Sequence, residues 1–214
     1  SHQLRAPISV IMMNAELLET RASASGKIDT ADALVSSREI REAAEQMTAL
    51  LRSLVLVSQI EAATLHVGEG KTDLAQVVES SARALFDSFE RKRIILETVL
   101  DRRIPPLSTD EQLVEIVVQN LLSNAAKYTN DGGRVRVTTS VDGAHARIEV
   151  SDNGMGIPRE DQPLVYQKLF RASNAKEQEG SGLGLYIVRS IVELLDGKVS
   201  FTSEKGRGTT FFIH

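Results

Sequence analysis

Asn120 and Asn124 stand four residues apart, one helical turn, so a helix through them puts both amides on one face. An amide oxygen is a hard, neutral ligand that can complete a magnesium shell beside phosphate oxygens and water. Lys127 and Tyr128 follow within a turn: a cation able to reach a phosphate, and a ring able to lie against a purine. Further on, Asp152 precedes Gly154 and Gly156. A carboxylate at a strand end can accept a hydrogen bond from an exocyclic amine, as on adenine, and glycines let backbone approach a flat ring. Gly180, Gly182 and Gly184 alternate with Ser181 and Leu183 where a helix should begin. Free N–H groups at a helix start attract phosphate, and the glycines clear space for it. His2 is the fourth element. Its imidazole, with an ordinary pKa of ~6.5, offers a neutral nucleophilic nitrogen near neutral pH.

Each piece alone has a plainer reading. The asparagines can be solvated or capping amides, because Asn readily bonds nearby backbone. Asp152-Asn153-Gly154 can be an ordinary turn. The late glycines are not a dinucleotide fingerprint, since no βαβ unit surrounds them, and they lack the Gly-Lys-Ser/Thr ending of a P-loop. A histidine at a chain start can simply be exposed, or belong to a tag. Together and in this order, the pieces describe an ATP site plus a separate residue that can accept phosphate.

Two kinds of scaffold must position them. Residues 1–66 read as helical, with Leu4, Ile8, Ile11, Ala15 and Leu18 at steps of three and four on one face. Pro7 lacks an N–H and should disturb the helix locally, close to His2. Ser23 to Gly26 breaks the pattern, and a second helix is expected from about Thr30 to Ala63. Ile40, Met47 and Leu54 recur at seven, with Ala44 and Leu51 interleaved, an antiparallel packing seam. One two-helix hairpin cannot close a core, whereas two copies can as a four-helix bundle, which predicts a homodimer. The other arrangement packs the hairpin on the rest of its own chain.

Val67 to Gly70 marks a boundary. Beyond it the spacing predicts helices over Leu74–Glu90, Asp110–Tyr128 and Leu183–Leu195, and strands over Ile94–Leu100, Arg134–Ser140, Ala144–Ser151, Lys198–Ser203 and Thr209–Ile213. Leu113, Val117, Leu121 and Ala125 form one stripe; Gly132-Gly133 and Asp142-Gly143 are turns. The polar stretch from Ala172 to Glu179 reads as a lid. The second part is thus an α/β sandwich, one mixed sheet with helices on one face.

Bulk properties remove several classes. At 214 residues and 42% apolar, the chain can bury a real core in one large or two small domains. Aromatics at 4%, a net charge of −4 and no Lys/Arg cluster oppose a nucleic-acid binder. The absence of cysteine removes disulfides and thiolate metal sites. No apolar run approaches a membrane span. The abrupt start at His2 reads as a piece of something longer.

In this order the segments resemble the transmitter core of a bacterial sensor histidine kinase, over nearly the whole chain. Ser1 to Pro7 resembles the H box, Asn120 to Thr129 the N box, Asp152 to Ile157 the G1 box and Gly180 to Leu185 the G2 box. The resemblance implies a dimerisation and phosphoacceptor hairpin (1–66) forming a dimeric four-helix bundle. It implies, too, a catalytic ATP-binding domain (71–214) of the gyrase/Hsp90/histidine-kinase type. It implies Asn124 as the magnesium ligand, Lys127 as a phosphate contact, Tyr128 beside adenine and Asp152 bonding its amine. Gly154 and Gly156 would border the base, Gly180, Gly182, Leu183 and Gly184 the phosphates, and Arg171 the γ-phosphate. Asn120 occupies the place where ATPase relatives carry a glutamate base, and an amide cannot take a proton from water. The activity implied is autophosphorylation of His2 by ATP with Mg2+, then transfer to an aspartate of a response-regulator receiver domain. Membrane attachment would come only through regions N-terminal to this cytoplasmic segment. Three departures stand out: Gln3 replaces a usual acid, Ala6 replaces a usual Thr or Asn, and the F box reads Tyr166 to Leu169 with Phe170 displaced by one. Ala6 implies weak phosphatase activity. Gln3 leaves room for the alternative of a dimeric nucleotide-binding scaffold with little kinase activity.

Overall fold

The computed structural model describes residues 2–25, 29–143, 145–176, 178 and 180–214. The turn expected at Gly26, the strand start at Ala144 and the lid end at Glu179 lie outside the described residues. The chain divides into two compact units, residues 1–61 and 62–214.

The first unit is two helices, α1 (His2–Ser25) and α2 (Thr30–Glu61). Asp29 starts α2: its Oδ1 accepts from Ala31 N at 3.2 Å, satisfying an N–H that the first turn cannot. An Arg21–Asp32 ion pair joins the end of α1 to the start of α2. α1 continues through Pro7, which is buried; without an N–H there, the Gln3 carbonyl loses its usual helical donor. Ile11, Ala15 and Leu18 are half-buried as their spacing predicts, but Ile8 is 41% exposed.

The seam of α2 differs from the expected one. Ser36, Ala43, Leu50 and Val57, seven apart, turn inward and alternate with Ile40 and Met47. Ala44 and Leu51 face out, and Leu54 is 42% exposed. The physical reason is that each helix carries two apolar stripes and a lone hairpin buries only one of them. The other stripe, with Met12 and Leu17 on α1 and Leu51, Leu54 and Val55 on α2, stays open. Asn14 is buried in the hairpin; its Nδ2 donates to Val10 O at 3.1 Å and across to Glu39 Oε2 at 2.9 Å. One satisfied polar pair in an apolar seam penalises other registers of the two helices.

The second unit opens with β1 (Lys71–Thr72) and α3 (Leu74–Ala84), whose N-cap Asp73 accepts from Ala75 N and Gln76 N. The single helix expected to Glu90 is broken at Leu85, and α4 (Phe86–Arg91) follows as a separate turn and a half. β2 (Ile95–Leu100) and β3 (Leu107–Ser108) precede α5 (Glu111–Tyr128). β1 and β3 pair antiparallel as a two-residue ladder too short to be read from periodicity. Then come β4 (Arg134–Asp142), β5 (His145–Asp152), α6 (Gly184–Leu194), β6 (Val199–Glu204) and β7 (Gly208–Ile213). The main sheet runs β2-β4-β5-β7-β6, parallel between β2 and β4 and antiparallel elsewhere. Val117, Val118, Leu121 and Leu122 of α5 and Ile187, Val188 and Ile191 of α6 are buried with Val135, Val137 and Val150 of the sheet.

Candidate nucleotide site

α5 carries the first half of the site. Asp110 caps it by accepting from Leu113 N at 3.0 Å, and the stripe Leu113, Val117, Leu121, Ala125 is buried throughout. With that face fixed inward, Asn120, Asn124 and Lys127 fall on the neighbouring, half-buried face. Asn120 Nδ2 donates to Ile116 O at 2.8 Å, which turns its Oδ1 outward toward Gly184. A methyl on Gly184 would stand 3.0 Å from that oxygen and 3.8 Å from Asn124 Nδ2, so α6 begins directly against the two amides. Among the described residues no hydrogen bond commits the Asn124 amide. Lys127 Nζ lies 4.8 Å from the Tyr128 ring centroid and close against Gly180, where a Cβ would fall 2.2 Å from it. The late glycines and the end of α5 therefore meet.

β5 carries the second half. Strand alternation places Asp152 on the same side as Ile148 and Val150, the side that packs against the helices. Its Oδ1 accepts from Gly154 N at 2.9 Å and Thr209 N at 3.3 Å. Its Oδ2 takes no hydrogen bond among the described residues. Burial pushes the Asp152 carboxyl above its ordinary range, against the pull of those two N–H groups. Burial likewise raises the Tyr128 phenol, with Arg171 opposing.

The segment after Asp152 is stitched tightly in place. Met155 N donates to Tyr128 O at 3.0 Å and Gly206 N to Met155 O at 2.8 Å, which ties the loop to α5 and to the β6–β7 turn. Gly156 has φ +61°, and a Cβ there would stand 2.0 Å from Glu204 O. Only glycine fits. Gly154 is crowded as well, with a Cβ 2.3 Å from Tyr128 O. Leu183 is fully buried and anchors the start of α6, while Gly182 O accepts from Leu169 N at 3.0 Å.

Arg171 is engaged by its own loop, while its charge also acts on Tyr128. Its guanidinium donates to the main-chain carbonyls of Ala175 (2.7 Å), Lys176 (2.9 Å) and Gln178, closing the turn that follows it. The F-box substitution is accommodated at one end only. Tyr166 packs edge-on against Phe201 with centroids 5.9 Å apart, but Leu169 is 55% exposed at φ +64°. Burial drives the Tyr166 phenol up to about 12.

Several contributors escape a reading of motifs. Asn153 Oδ1 accepts from Arg134 N at 2.7 Å and fixes the start of β4. Asp161 Oδ2 accepts from both the amide and the hydroxyl of Ser173, each at 2.7 Å, and Asn174 Nδ2 donates to Gly156 O at 2.9 Å. The start of the lid is thereby fastened to the loop after Asp152. Lys92 caps the end of α5. Its partners lie 34 to 37 residues away along the chain, so no local pattern marks it.

No group of three or more acidic, histidine or cysteine side chains placed to hold a metal ion occurs among the described residues. The Asn124 amide oxygen is a hard neutral donor of the kind that fits one position around a magnesium ion. His2 and Gln3 open α1 in the other unit, and their side chains lie outside the described residues.

The two units match two families. Residues 1–63 match the His Kinase A (phospho-acceptor) domain, and residues 109–214 the histidine kinase-, DNA gyrase B- and HSP90-like ATPase. The chain belongs to the sensor histidine kinases. Together the two matched domains make a transmitter core, whose catalytic half is of an ATPase type. This histidine kinase core is 26% identical to the alginate biosynthesis sensor protein KinB of Pseudomonas aeruginosa, over all of this chain and 35% of that protein. The core spans about a quarter to a third of the length of the first curated relatives it matches. Its fold is that of the Acinetobacter baumannii histidine kinase AdeS, with TM-score 0.76 at 23% identity over 100% of this chain and 96% of that one. It is also similar to histidine kinase ThkA in complex with response regulator protein TrrA, with TM-score 0.68 at 19% identity over 99% of this chain and 58% of that one.

Proposed function

We propose that this core phosphorylates its own His2 from magnesium-bound ATP and then passes the phosphoryl group to an aspartate of a response-regulator receiver domain. The observation that carries the nucleotide half is Asp152. One carboxylate oxygen is held by two backbone N–H groups, and the other takes no hydrogen bond among the described residues. A fixed, uncommitted acceptor is what the exocyclic amine of an aminopurine edge requires. Asn124, Lys127 and the glycines from Gly180 to Gly184 gather at the adjoining end of α5, where phosphates would lie. Magnesium, when bound, would offset phosphate charge there, with Asn124 as its protein ligand.

In the transfer step Nε2 of His2 attacks the γ-phosphorus in line. The N–P bond forms as the bond to the bridging oxygen breaks, and ADP leaves. Gln3 is an amide and takes no proton, so the Nδ1 proton passes to solvent. Asn120 offers no base to activate water, which favours histidine over hydrolysis as the acceptor. Lys127 sits where it can meet developing phosphate charge; Arg171 spends only Nη2 on the carbonyls that follow it, and its Nε has no partner among the described residues. The open second stripe of the hairpin supports a homodimer through a four-helix bundle. The ThkA complex supports a receiver domain as partner.

The test uses γ-labelled ATP and magnesium with the intact chain. Acid-labile, alkali-stable label that disappears in His2→Ala is the expected result. Nucleotide binding without label would instead favour the scaffold. Ala6, exposed and without a polar atom, cannot place a water for dephosphorylation. Receiver-phosphate decay should therefore be unchanged by adding this core with ADP, and clear acceleration refutes that reading.

A further inference from the structure

We infer that Lys92 is a positioning residue for the nucleotide site: its ammonium closes the C-terminal end of α5 and so sets where Lys127 and Tyr128 stand. The inference rests on the proposed nucleotide site, since it concerns residues given roles there.

The last carbonyls of a helix have no partners within it. At the end of α5 each of them is accounted for. Ala125 O accepts from Thr129 N at 3.0 Å and Tyr128 O from Met155 N at 3.0 Å. The rest fall to one side chain. Lys92 Nζ donates to Ala126 O at 3.0 Å, Lys127 O at 2.7 Å and Thr129 O at 2.8 Å. An ammonium has three donors, and all three are used. Its positive charge also lies at the negative end of the α5 dipole.

Lys92 is itself held rigidly. It caps α4, with Arg93 following at φ +53°. Ile94 N donates to Phe89 O at 2.9 Å and Arg93 N to Glu90 O at 2.9 Å, the bond pattern of a Schellman turn. Phe89 and Ile94, the apolar pair of that motif, are both buried. Lys92 O accepts from Gly132 N at 2.8 Å, so backbone and side chain of one residue grip both sides of the turn after α5. Two of its three side-chain acceptors flank Tyr128 directly, and the third is one residue further back. If the ammonium is removed, the carbonyls of residues 126, 127 and 129 must find water. The last turn of α5 can then unwind, moving the groups it presents.

The test measures binding of a non-hydrolysable ATP analogue with magnesium by calorimetry on the full chain, wild type against Lys92→Met. The assay temperature is kept well below both melting points. The inference expects the folded variant to bind about ten-fold more weakly, the scale of losing bonds to a charged donor. Lys92→Gln, which keeps two donors without the charge, should lie between. A purely structural role would lower the melting point and leave the affinity of folded protein within about two-fold. That result overturns the inference. So does failure of both variants to fold, because Lys92 would then hold the unit together rather than the site. If wild type itself binds no nucleotide, the site reading fails instead, whatever the variants do.

Discussion

Asp152→Asn separates recognition from folding. Asparagine keeps an oxygen that can hold Gly154 N and Thr209 N, bonds of 2.9 Å and 3.3 Å in the structure, so the local backbone should stay as it is. What changes is the free side: an acceptor becomes an N–H donor. Facing the exocyclic amine of adenine, one charge-assisted bond is lost and two donors oppose each other. A bond to a charged group contributes about 1.5–3 kcal/mol, which corresponds to roughly ten- to hundred-fold weaker ATP binding. Guanine presents an acceptor at that edge, so the ATP-over-GTP preference should shrink by more than ATP affinity alone explains. Stability should move the other way. A carboxyl whose pKa is raised by burial makes the folded state less favourable once it ionises, so removing the charge should leave the melting temperature unchanged or higher. Calorimetric titration with ATP and GTP analogues, alongside thermal melts without nucleotide, reads both effects. Unchanged ATP affinity would refute the assignment of this edge, and a melting temperature that falls in step with affinity would refute the separation.

Other consequences are sharper in stability or pH. Gly156→Ala must place a Cβ 2.0 Å from Glu204 O at a positive φ, so the second unit should lose about 3 kcal/mol, or roughly 6–12 °C in thermal melts. A melt within a degree or two of wild type would contradict the geometry there. The Ser173 amide and hydroxyl hold the Asp161 carboxyl below its ordinary range. The contact is therefore intact above about pH 4 and is lost as pH falls through the lowered folded value. An amide shift of Ser173 titrating with a midpoint under about 3.9, and absent in Asp161→Asn, is the expected signature.

What the sequence reveals follows from how far each constraint reaches along the chain. α5 is legible because its apolar stripe, its Asp110 cap and its functional amides all lie within one helix and obey one period. Asp152 is legible for a similar reason, since strand alternation alone puts it on the helix side. In the hairpin seam Ile40 and Met47 turn inward as expected but Ala44, Leu51 and Leu54 do not, because both faces of α2 carry apolar heptads. Only the partner that covers a face decides which one is inner. Leu85 divides a segment whose polarity pattern continues unbroken across it. Lys92 and Arg171 act on main-chain carbonyls, and carbonyls carry no residue-type signal. The F-box change shows the same limit: Tyr166 keeps its packing through Phe201, far away in sequence, whereas Leu169 stays 55% exposed.

The central claim is that one pocket, between the end of α5, the loop after Asp152 and the start of α6, receives the nucleotide. Amide chemical-shift mapping with a non-hydrolysable ATP analogue and magnesium tests it most directly. The account predicts saturable changes concentrated on residues 120–128, 152–156 and 180–184, diminished at 120–128 when magnesium is withheld. Saturable changes centred instead on the cavity of about 530 Å³ lined by Tyr166, Arg189, Lys198 and His214, or no changes at all, would contradict it.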